Sequence, residues 1–260
     1  MICGTGIVNA LFQLKYQPAH KKGAAVQRIQ GLNEATEPFI FFIDDDIVPE
    51  PDCLMHLWNC MQLHEKIGGV NAIITNQQYH TPGKATAMMY RLMNGKSLPS
   101  YAGKCIGPAW NLLPQDAGEN VNPVEWLNTT CVLYRRKALP QPLFPEIFQG
   151  YSLMEDLALS LTVAQDWKLF NVRISKIFHD SQPGAHKKNE FALSKMEMVN
   201  RHYIMTKILG RKGFGYHLKL FLFEFWGIIP LFTSVNGLKK LFPVMGGKLA
   251  ASFSLLFKRN

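Results

Sequence analysis

The chain has 260 residues, 47% of them hydrophobic and 12% aromatic, which excludes a disordered chain and suits one large domain or a domain with an appendage. No run of about 18 apolar residues is free of charge, which excludes a bundle of membrane-spanning helices. The formal net charge is +9, but residues 1–185 hold 15 Lys/Arg against 16 Asp/Glu, whereas residues 186–260 hold 13 against 3.

Gly23, Arg28 and Gly31 lie in a short segment of small residues that suits a packed helix. Phe39-Ile40-Phe41-Phe42-Ile43 follows Pro38 and stops at Asp44-Asp45-Asp46, so it reads as a buried parallel strand. Residues 51–66 open on proline and set Leu54, Leu57, Trp58 and Met61 on one helical face. Residues 69–74 read as a strand. Residues 76–123 are rich in Gly, Pro, Asn and Gln and read as a long, partly irregular insertion. Residues 124–134 read as a strand ending in Arg135-Arg136-Lys137. Residues 155–165 read as a helix opened by Glu155 and Asp156, and residues 168–178 return as a strand. This alternation predicts an α/β domain with a mainly parallel sheet flanked by helices.

Beyond residue 185 the character changes, and we place a domain boundary there: 1–185, then a basic, apolar helical region, 186–260. Residues 187–209 form a helical pattern with Phe191, Met198, Ile204 and Ile208 apolar. Between Leu220 and Val235 only Glu224 is charged, and Pro230 interrupts the run. That segment is shorter than the about 20 residues a crossing needs. Apolar, aromatic residues flanked by Lys and Arg predict an element lying on an anionic membrane surface. The five cysteines match no metal-binding spacing and no signal peptide is evident. Together these predict a cytoplasmic protein, peripheral on the cytosolic membrane face.

Three features carry chemistry. Carboxylates clustered at a strand end repel one another unless a cation neutralises them, so Asp44-Asp45-Asp46 suits Mg²⁺ or Mn²⁺ shared with substrate phosphates. Glu155-Asp156 at a helix start is favoured by the helix dipole, and presents a candidate general base. The Gly23–Gly31 segment alone says little.

Together and in this order, these features resemble the family-2 type of inverting glycosyltransferases, with the GT-A (Rossmann-like) nucleotide-sugar fold. Gly23, Arg28 and Gly31 match a helix motif of that family, with Ile29 where it usually has Asn. Asp44 and Asp46 match its Asp-x-Asp, residues 132–139 its Arg-Arg turn, and Glu155, Asp156, Leu157 and Leu159 its Glu-Asp helix start. The resemblance spans residues 13–185. It implies an opening strand–helix–strand unit that holds the nucleotide base, of which residues 1–14 match only the tail.

The resemblance implies the following roles. Asp46 is the metal ligand, joined by Asp44 and by His179, while Asp44, Asp45 and Arg28 serve donor binding. Asp156 is the catalytic base and Glu155 orients the acceptor. The partners implied are a nucleotide-sugar donor and a glycan or lipid-linked acceptor.

Three rivals remain. One is a truncated, inactive relative of that family. A haloacid-dehalogenase-type phosphatase also uses Asp-x-Asp, but its later acidic pair follows an apolar strand, whereas Glu155-Asp156 follows residues 149–154. A nucleic-acid binder is suggested by the basic tail alone. Its aromatics cluster with Leu and Ile rather than with Lys and Arg, so no nucleic-acid partner is predicted.

Overall fold

The structure is a computed structural model that describes residues 15–77, 82–95, 98, 101–107, 110–112, 119–148, 153–181 and 189–257. The implied nucleotide-base tail (1–14) and the loop residues 149–152 lie outside the described residues.

Helix α1 (Ala24–Glu34) leads into strand β1 (Phe39–Ile43). Gly23 opens it at φ 137°, a conformation that side-chain-bearing residues rarely adopt. Gly31, by contrast, has open space where a Cβ would stand, so packing does not require that motif glycine. After β1 come β2 (Ile47–Pro49), α2 (Cys53–Gln62) and β3 (Ile67–Ile74). The 76–123 segment is more ordered than its composition suggests. It holds α3 (Lys84–Asn94), the hairpin β4 (Lys104–Ile106) with β5 (Trp110–Leu112), and β6 (Val121–Val124). The chain continues through β7 (Cys131–Arg135), α4 (Glu155–Val163) and β8 (Lys168–His179).

The main sheet runs β1-β7-β3-β8-β2, with β6 also paired to β8. It is mixed, which corrects the expectation of a mainly parallel sheet. Among the described pairings only β3 with β8 is parallel, because β7 runs back between β1 and β3. The expectation failed because helices cover both faces. Every strand then reads as a continuous apolar run whatever its direction. On β1, Ile40 and Phe42 join the core beneath α1 and α4, while Phe39 and Phe41 face the core beneath α2. On β7, Val132 and Tyr134 face the first core, and Cys131 and Leu133 the second. Gly69 of β3 lets the buried Tyr134 ring lie against its backbone: a Cβ there would meet Tyr134 Cε1 at 2.6 Å.

The C-terminal region is helical, as expected: α5 (Glu190–Tyr203), a π turn (Ile204–Ile208), α6 (Phe214–Trp226), a 3₁₀ turn (Ile229–Thr233) and α7 (Val235–Phe257). Pro230 sits at the start of that 3₁₀ turn, where its missing N–H costs nothing. The region packs on the rest of the chain. Ile204 shares a core with Leu157 and Leu161 of α4, and Phe223 of α6 closes over Met89, Tyr90 and Met93 of α3.

Charges fill the centre of this helical unit. Glu224 is 1% exposed and binds both Arg201 and Lys248. Glu197 adds a second carboxylate, 2.8 Å from Arg201 and 3.6 Å from Lys248. Two cations thus meet two anions, so the network is neutral. Removing one partner of such a buried set costs about 3–5 kcal/mol. The one charge that interrupts the 220–235 run therefore points inward.

Candidate active site

The aspartate triplet joins the two strands at opposite ends of the sheet order. It therefore crosses the mouth of the sheet at the carboxyl end of β1. Its ends are pinned: Asp44 N donates to Thr130 O at 2.9 Å, and Asp180 N donates to Asp46 O at 2.8 Å. Asp45, expected at the donor site, is exposed at the middle of the turn.

Arg28 reaches this turn from α1. Its guanidinium donates to Asp44 at 2.7 Å and, through its other amine, to Glu155 at the start of α4. One half-buried cation thus ties the strand-end aspartates to the Glu-Asp helix. Burial holds the Asp44 carboxyl above the usual carboxylate range; Arg28 opposes that rise and Asp46 adds to it.

His179, at the end of β8, lies across from Ile47 of β2. Its Nε2 stands 3.2 Å from Asp46 Oδ2. Asn76 clips the His179 backbone on both sides, accepting from its N–H at 3.0 Å and donating to its carbonyl at 2.8 Å. The Gln77 amide lies 3.4 Å from His179 Nδ1, and can present nitrogen or, turned over, oxygen. No sequence signal marked Asn76; it is a polar residue just past a strand.

Of the three expected metal ligands, the structure brings Asp46 and His179 together and turns Asp44 to Arg28. Among the described residues no group of three or more His, Cys, Asp or Glu side chains is arranged to hold an ion. Two ligands suffice for Mg²⁺ or Mn²⁺, which keep waters and take substrate phosphate oxygens. The Asp46–His179 pair therefore fits such an ion.

Asp156 is half-buried, and its Oδ1 accepts from Leu157 N at 2.8 Å. Burial raises its pKa, while Leu157 N–H, Trp126 and Arg28 pull it back. Trp126 is half-buried in the cluster beside Phe148, with its indole N–H buried and lacking a fully formed hydrogen bond. Met154, just before the pair, has φ 68°. A non-glycine residue rarely adopts that conformation, and such strain collects at functional sites. Ser160 is buried below and accepts from Leu127 N at 2.9 Å, fixing α4 to the loop that carries Trp126. Neither Met154 nor Ser160 was visible as a functional residue from sequence.

Residues 7–112 match the family model of glycosyl transferase family 2. The match takes in Arg28 and the aspartate triplet and stops short of Glu155-Asp156. No curated protein matches the sequence. Solved structures that show similarity include the following two. One is GalNAc-T7 with UDP, GalNAc and Mn²⁺, at 15% identity and a TM-score of 0.42; the alignment covers 61% of this chain. The chain spans only 30% of the length of that protein. The other is the mannosyltransferase PcManGT from Pyrobaculum calidifontis with GDP-Man and Mn²⁺, at 12% identity and a TM-score of 0.46. That alignment covers 92% of this chain and 68% of the other.

Proposed function

We propose that this chain is an inverting glycosyltransferase of the GT-A type, moving a sugar from a nucleotide-sugar donor to an acceptor hydroxyl. One observation carries the reading: the family match ends strand β1 in Asp44-x-Asp46, and Arg28 joins that turn to the Glu155-Asp156 helix. The match favours a transferase over the phosphatase reading.

In this account Asp156 accepts the proton of the acceptor hydroxyl. The freed oxygen attacks the anomeric carbon from the face opposite the diphosphate. The new C–O bond forms as the bond to the nucleoside diphosphate breaks, and the configuration inverts. Asp46 and His179 would hold a divalent ion, which supplies positive charge against the departing diphosphate. Arg28 offsets part of the charge on Asp44 and Glu155, so the carboxylates gathered at this turn repel one another less. Asp44 and the exposed Asp45 lie on the donor side. Glu155 is 5% exposed and held by Arg28, so it orients the helix start that carries Asp156. The test is calorimetric titration of UDP- and GDP-sugars with Mn²⁺. Binding of one nucleotide class that vanishes in chelator supports the reading; no binding of either class contradicts it.

The acceptor in this proposal is a lipid-linked or cell-surface glycan, reached at the cytosolic face of an anionic membrane. Among the described residues no helix is long and apolar enough to cross a membrane. The C-terminal helices bury the Glu224 charge network and leave several large apolar side chains exposed. Phe242 is 81% exposed and Phe253 64%, with Lys239 and Lys240 exposed on the same helix. Each Lys near anionic lipid contributes about 1 kcal/mol. In flotation with anionic vesicles the chain should rise with the lipid, and less so at high salt. The double variant Phe242→Asp, Phe253→Asp should stay in the soluble fraction. A chain that ignores vesicles at low salt contradicts the membrane role.

A further inference from the structure

His202, in the last turn of α5, and His217, in the first turn of α6, face each other away from the aspartate triplet's own histidine, His179. Their Nε2 atoms lie 3.3 Å apart, with ring centroids at 5.3 Å. That separation admits a hydrogen bond in which one imidazole donates to the other. It matches another geometry: two Zn–N bonds of about 2.0–2.1 Å meeting at a tetrahedral metal place their nitrogens about 3.3–3.4 Å apart. The tautomer fits as well. His217 Nδ1 lies 3.1 Å from Gly213 O, and a carbonyl only accepts, so Nδ1 carries the proton. The His217 Nε2 lone pair then points at His202. An imidazole that donates its other N–H to a backbone carbonyl is the usual support of a metal-ligating histidine.

We propose that His202 and His217 form a two-histidine clip for Zn²⁺, with water completing the tetrahedron. The clip joins the end of α5 to the start of α6 across the 204–213 connection. Imidazole suits zinc, and this pair offers two imidazoles and no carboxylate, whereas Asp46–His179 supplies the oxygen that Mg²⁺ and Mn²⁺ prefer. The nearby Lys207 charge disfavours added positive charge at His202. The proposal is independent of the transferase reading.

The experiment titrates Zn²⁺ into the full chain carrying Asp46→Ala, in excess Mg²⁺, so that the carboxylate site contributes no zinc binding. About one zinc per chain should bind and raise the melting temperature, as any ligand of the folded state does. His202→Gln and His217→Gln should each weaken that binding at least tenfold and abolish the shift. Melting curves without zinc show whether each variant is folded. No zinc binding by the starting chain overturns the clip, and so does unchanged binding by either folded variant.

Discussion

Asp156→Asn should lower sugar transfer about a hundredfold or more while leaving donor affinity almost unchanged. The amide keeps the oxygen that accepts from Leu157 N–H, so the start of α4 holds its shape. It loses the capacity to take a proton. Glu155 does not stand in, because it is buried and bound by Arg28. Burial gives this base a distinctive pH signature. With its pKa raised, Asp156 is still protonated at pH values where an exposed aspartate is ionised. The transfer rate should therefore climb as pH rises through that elevated value and level off above it. The Asn variant should show no such limb. Wild-type-like activity in the Asn variant would remove Asp156 from the chemistry.

Asp46→Ala should act at the other end of the reaction, lowering metal-dependent transfer about 10²–10³-fold. It removes the carboxylate paired with His179 and leaves that imidazole as the sole side chain of the pair. Donor affinity in Mn²⁺ should fall together with the rate, unlike in Asp156→Asn. His179→Ala should show the same pattern more weakly, since a carboxylate contributes more charge than a neutral imidazole. Full activity of Asp46→Ala, or of the unmodified chain in chelator, would contradict a metal held there.

The parts of the site that were legible in the sequence share a cause. β1 is a short apolar run cut off by three aspartates, and α4 begins with two carboxylates before an apolar stretch. Both are local patterns. What was missed depends on contacts distant in sequence. Helix α3 was read as irregular because only Met89, Tyr90 and Met93 are buried on it, and their partner Phe223 lies far along the chain. The direction of β7 is invisible for a related reason: with both faces covered, composition carries no orientation. Glu224 read as an interruption in an apolar segment, yet its partners on α5 and α7 make it the centre of a packed unit. The Asn76 clip and the strained Met154 arise from backbone geometry, which a residue string does not display.

The most direct measurement is turnover: the full chain with Mn²⁺ and a panel of UDP- and GDP-sugars, assayed for released nucleoside diphosphate. Even without the natural acceptor, water reaching the site gives slow donor hydrolysis. The account predicts release from at least one donor, lost in chelator and in Asp46→Ala and strongly reduced in Asp156→Asn. Release that persists equally in all of these, or no donor turned over or bound, would contradict it.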